Sequence, residues 1–84
     1  MSGLFRIGFE VRGPIHLLAR AIDVMARLDL TPEAMTIERV DGGLRIQARI
    51  TAPEALARLC VARLANQIGL EVVAFEGVHP EDLA

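Results

Sequence analysis

Twice along this 84-residue chain the spacing of apolar residues switches from every second position to every third or fourth, and each switch lies between segments with the period of a strand. In residues 5–12, Phe5, Ile7, Phe9 and Val11 alternate with Arg6, Gly8, Glu10 and Arg12, the pattern of a strand with one face buried. Beyond Gly13-Pro14, apolar residues recur at Leu17, Leu18, Ala21, Ile22, Met25 and Leu28, which predicts an amphipathic helix to about residue 28. Pro14 suits its first turn, where a missing N–H costs nothing. A loop over 29–33 follows, with Pro32 steering Thr31 away from helix. A strand is predicted over 35–40, placing Met35 and Ile37 on one face and Thr36 and Glu38 on the other.

Asp41-Gly42-Gly43 then reads as a hairpin turn, because glycine tolerates the positive φ such turns require. The strand after it, 44–50, turns Leu44, Ile46, Ala48 and Ile50 inward. Thr51-Ala52-Pro53-Glu54 has the form of a helix start, and the stripe Leu56, Cys60, Val61, Leu64 and Ile68 carries the second helix to Gly69, a residue that commonly ends one. The last strand, 70–76, sets Leu70, Val72 and Ala74 on one face and Val73 and Phe75 on the other, and a strand apolar on both faces needs a second cover. Residues 77–84 read as a frayed acidic tail carrying His79 and Pro80.

Strand, helix, strand, strand, helix, strand is a doubled split βαβ unit. Right-handed crossovers leave one economical assembly, an α+β ferredoxin-like βαββαβ sandwich: an antiparallel sheet in the order 4-1-3-2 with both helices on one face. One domain spans 1–84, with its core over about 4–76. A body this small buries only about 60% of its unfolded surface. Its 52% hydrophobic content therefore points to an oligomer interface, and the second and fourth strands, the sheet's edges, are the physical candidates for meeting a partner.

Nine arginines, no lysine and eleven acids give a net charge of −2, which generates no field that would attract nucleic acid or an anionic membrane. The aromatics alternate with charged positions and belong to the buried set, so the sheet offers no base-stacking platform. No run approaches the ~20 apolar residues of a membrane span, and the start of the chain lacks the pattern of a secretory signal. With a single cysteine, Cys60, the expected location is the cytoplasm. Paired thiols for a metal carrier are absent, and no metal or cofactor is expected.

The one loop whose chemistry suggests a ligand is 12–17, Arg12, Gly13, Pro14, Ile15, His16 and Leu17, where free backbone N–H groups at a helix start would favour a carboxylate. Val11-Arg12-Gly13 before a helix also resembles the phosphate cradle of an acylphosphatase, but the only asparagine, Asn66, falls in the second helix, and no nucleophile has a neighbouring base. A small acylphosphatase-like enzyme is therefore the least favoured alternative.

The element order, Pro14-x-x-Leu17, Arg20-x-x-x-Val24-Met25-x-Arg27 and Leu64-x-x-Gln67-Ile68-x-Leu70-x-x-Val73 resemble ACT domains. Among these the chain is most similar to the short regulatory subunits of acetolactate (acetohydroxyacid) synthase. The resemblance implies a non-catalytic domain paired edge to edge with a second copy. It implies a small amino-acid effector at the interface, beside 12–17 and the entry to the second strand at Thr31 and Pro32, and a thiamine-diphosphate-dependent catalytic subunit as partner. Ile15 and Arg12 stand where the family carries glycine and asparagine. A free-standing amino-acid sensor is the alternative within the same fold.

Overall fold

A computed structural model describes residues 1–79. Its elements are β1 (Ser2–Arg12), a 3-10 turn (Ile15–Leu17), α1 (Leu18–Arg27), β2 (Ala34–Val40), β3 (Gly43–Pro53), α2 (Glu54–Ala65) and β4 (Leu70–Gly77). The four strands form one antiparallel sheet in the order β2-β3-β1-β4, the ferredoxin-like arrangement expected from the alternating periods. Ile7, Phe9 and Val11 of β1 and Ile46, Ile50 and Ala52 of β3 bury their side chains against Leu18, Ala21 and Met25 of α1 and Ala57, Cys60 and Leu64 of α2. Each such aliphatic side chain contributes about 1.5–3 kcal/mol on burial, so this one layer supplies most of the driving force for folding.

The central strands are longer than their apolar alternation suggests. Ser2 pairs with Pro53, so β1 starts three residues earlier than predicted, and Thr51-Ala52-Pro53 ends β3 instead of opening α2. Pro53 takes φ −58° and ψ 144°, an extended conformation that closes a strand and caps a helix equally well. Pro14 is likewise extended (φ −65°, ψ 155°) and leads into the 3-10 turn, so the α-helix begins only at Leu18. Ile22, expected in the buried stripe of α1, is half exposed. Asp29 closes α1 in the left-handed conformation (φ 56°), and the N–H of Leu30 donates to the Met25 carbonyl at 2.8 Å, which seats Leu30 in the core.

Two larger departures have local causes. α2 stops at Ala65, not Ile68; the turn that follows bonds Leu70 N–H to the Gln67 carbonyl, and Ile68, in phase with the buried stripe, points outward at 81% exposure. Gly69, at φ +88°, makes that turn possible. In β4 the register with β1 shifts between Gly8 and Phe9: Ala74 faces Gly8, Val72 faces Phe9, and Val73 is the extra residue of a β-bulge. The bulge lets Leu70, Val72 and Phe75 all face the helices, so no second cover is needed for them. The tail read from residue 77 also starts later, since Gly77 ends β4 and Val78 is buried, its N–H donating to the Leu4 carbonyl at 2.8 Å. Residues 80–84 lie outside the described residues.

Candidate functional site

The loop that follows β1 is knitted to the α2–β4 turn. The N–H of Arg12 donates to the Gly69 carbonyl at 2.8 Å, and that of Leu17 donates to the Pro14 carbonyl at 3.0 Å. Leu17 fills the space over both glycines: an added Cβ would stand 3.0 Å from its Cδ1 at Gly13 and 2.8 Å at Gly69. Arg20 ties the same turn down from α1, its Nη1 donating to the Ile68 carbonyl at 3.3 Å. The Arg12 guanidinium meets Glu10 Oε1 at 2.7 Å and Glu71 Oε1 at 3.5 Å. Its charge is thus compensated, and the expected cradle of free N–H groups has two of its members bonded within the protein. Pro14, Ile15 and His16 remain on the surface, with Ile15 71% exposed.

Thr31 and Pro32, the other two residues tied to a ligand, are not beside this loop. They line an apolar groove of about 230 Å³ with Ile22, Met25, Ala26, Leu30 and Met35, between α1 and the entry to β2. Ala34 pairs with Arg49 and Arg49 with Arg6, so the groove lies at the far end of the sheet from Arg12, about 20 Å away at 3.3 Å per residue. Ile37 lies opposite the buried Ile46 and so shares the helix-side face, yet it is 52% exposed because β2 is an edge strand beyond the helices' cover. The groove runs past Ile22, which the helical period sets in the buried stripe, and too many apolar residues for so small a core is its only trace in the sequence.

On the sheet's open face the charges form rows. Glu10 accepts from Arg45 Nε at 3.2 Å as well as meeting Arg12, and Arg45 Nη1 donates to Glu38 at 3.3 Å, while the Glu10 side chain is only 13% exposed. Toward the other end Arg6 pairs with Glu76 at 2.9 Å. Arg49, directly opposite Arg6, has its Nε buried without a hydrogen-bond partner. Cys60 sits in the core, where burial pushes its thiol above the ordinary value, the opposite of what a reactive thiolate needs. Among the described residues no group of three or more His, Cys, Asp or Glu is placed to hold a metal, and no helix is long and apolar enough to cross a membrane.

No protein-family model and no curated protein sequence matches the chain. Solved structures do. An uncharacterised protein from Thermotoga maritima superposes with a TM-score of 0.75 at 7% identity, covering 94% of this chain and 100% of its own. The ACT domain of a GTP pyrophosphokinase from Chlorobium tepidum does so with a TM-score of 0.73 at 14% identity, over 93% of this chain and 100% of that domain. A formyltetrahydrofolate deformylase from Pseudomonas putida matches over 92% of this chain but 29% of its own length, with a TM-score of 0.60 and 12% identity. At such identities the likeness is one of fold: the chain has the ferredoxin-like architecture of ACT domains.

Proposed function

We propose that this chain is a non-catalytic regulatory domain of ACT type that works as a dimer joined through its β2 edges and takes a small amino acid as effector between the copies. The observation that carries this reading is the β2 edge. The seven residues of β2 pair with β3 without a register shift, and their outer side has no partner strand among the described residues. The opposite edge, β4, carries the bulge at Val73, a device that blunts edge pairing. Beside β2 runs the apolar groove, lined in part by the half-exposed Ile22, and Ile37 stands half exposed on the helix-side face of the strand itself.

Antiparallel pairing of β2 with its own copy sets the Ala34 end of one against the Val40 end of the other. Val40 pairs with Gly43 and Gly43 with Arg12, so the two-fold axis carries the loop at 12–17 of one copy toward the end of the sheet where Thr31 and Pro32 of the other stand. Dimerisation thereby relieves the separation of the two predicted site fragments in the single chain. The groove's lining suits an aliphatic side chain. Exposed Ile15 and Ile68 flank the same loop and would face a larger partner. For that partner the sequence resemblance favours the thiamine-diphosphate-dependent catalytic subunit of acetolactate synthase.

Sedimentation at micromolar concentration, with Ile37→Lys as the edge-breaking variant, tests the reading together with a thermal-shift screen of the twenty amino acids. The wild type is expected to dimerise and Ile37→Lys not to. An effector present at 100 times its Kd adds about 2.7 kcal/mol to the dimer and loses that effect in the variant. A wild-type monomer under these conditions overturns the proposal. A rise in synthase rate on adding the chain identifies the partner, and ligand binding without any such rise favours the free-standing sensor.

A further inference from the structure

We propose that Arg6 and Arg49, with Gln47 and Thr36, form a binding site for a small hydroxy or amino carboxylate on the sheet's open face, separate from the effector site between copies. Arg6 and Arg49 lie directly opposite each other on β1 and β3, an arrangement of like charges that disfavours the pairing it sits on. Only one of the two is answered: Arg6 Nη1 holds Glu76 at 2.9 Å, while no ion pair reaches Arg49 among the described residues and its Nε is buried without a partner. Glu33, whose N–H donates to the Arg49 carbonyl at 2.7 Å, accepts from the Thr51 hydroxyl and makes no ion pair with Arg49.

Between these side chains lies a cleft of about 190 Å³ lined by Arg6, Ala34, Thr36, Gln47, Ala48 and Arg49, its surface polar and apolar in equal part. Gln47 and Thr36 face each other one row along, on the same face as the arginines. The row thus offers a forked guanidinium, an amide and a hydroxyl around a space of small-molecule size, with Arg49 outside the ion pair that Arg6 makes with Glu76. That arrangement matches a monoanion, and the planar fork of Arg49 fits a carboxylate bidentately. Gln47 and Thr36 supply the donor and acceptor capacity for a hydroxyl or amino group on the adjacent carbon. Pairing through β2 extends the sheet sideways and leaves this face open, so the site serves monomer and dimer alike.

The test is an NMR titration of isotope-labelled protein with sodium lactate, with sodium chloride and sodium phosphate as separate arms at matched ionic strength. Saturable shifts are expected at the Arg49 guanidinium and the Gln47 side-chain amide with lactate. Arg49→Gln should weaken binding by about tenfold or more, the scale of a lost charge-assisted hydrogen bond, and Thr36→Val should weaken it less. Arg12→Gln should leave it within about twofold, as expected for a distant site. Repeating the titration on Ile37→Lys separates this site from the dimer reading, because saturation there is expected whether or not β2 pairs. Shifts that follow chloride linearly, saturation by phosphate alone, or equal loss in Arg12→Gln would each overturn the proposal.

Discussion

At the Arg12 end of the open face, two arginines share one nearly buried carboxylate, Glu10, and reach two more at Glu71 and Glu38. At the Ala34 end, two arginines stand opposite each other with Glu76 bound to only one. The residue types are the same at both ends. The strand register makes the first a closed, charge-balanced lock and leaves the second with an unanswered cation beside a cleft. The lock also has a steric part, because the hairpin glycine of β3 abuts β1: a Cβ at Gly43 would fall 1.8 Å from the Val11 carbonyl oxygen. Gly77, at the other end, has nothing within 4 Å of that position.

Paired alanine substitutions give this contrast its most severe trial. Gly43→Ala cannot be accommodated without moving backbone and should cost about 4 kcal/mol or more, enough to unfold a domain this small. Gly77→Ala should stay within about 0.5 kcal/mol, as a surface substitution away from any special feature does. Urea denaturation of the two variants reads both; comparable losses would show that the two ends are equally tight.

Glu10→Gln comes next in size. It removes the negative charge that Arg12 and Arg45 share and replaces one of its two oxygens by an NH2 that faces a guanidinium, so a loss of about 2 kcal/mol is expected, reduced but not abolished in high salt because Glu10 is shielded from solvent. At the other end the sign reverses. Arg49→Met keeps the stem that packs along the sheet while removing a buried donor without a partner and a charge facing Arg6, and should raise stability by about 1 kcal/mol. In a domain of this length that is roughly 4–8 °C in Tm by calorimetry. A fall in Tm would mean that Arg49 is compensated and would remove the physical reason for a ligand there.

Period alone made most of the fold legible. Ile7, Phe9 and Val11, and Ile46 and Ile50, are buried where alternation put them, and the edges were identifiable from connection rules. Two features defeated it because they break phase without changing residue type. The bulge at Val73 reverses the faces of everything after it in β4, and the turn at Gly69 ends α2 while the apolar pattern still runs on to Ile68. For the candidate sites the difficulty was distance along the chain. Arg12 looked available because Glu71, one of the carboxylates that engages it, is contributed by β4, and Arg49 looked like any solvated arginine because its opposition to Arg6 exists only in the β1–β3 register. Thr31 and Pro32 were tied to Arg12 through a family likeness that presupposes a second copy.

Arg6→Gln has the smallest expected effect and separates attraction from repulsion. The Arg6–Glu76 pair is solvent-exposed, with side chains 36% and 57% accessible, so its loss alone costs about 0–1 kcal/mol. Removing Arg6 also relieves the charge opposite Arg49, and the two terms nearly cancel in the wild type. In an Arg49→Met background no repulsion is left to relieve, so the same substitution should become more costly, by about 0.5 kcal/mol. A double-mutant cycle in urea at low salt measures that coupling, and its shrinkage at high salt identifies it as electrostatic. A coupling of zero would mean that the two guanidinium groups do not sense each other. The difference between the ends would then rest on the hydrogen-bond deficit at Arg49 alone.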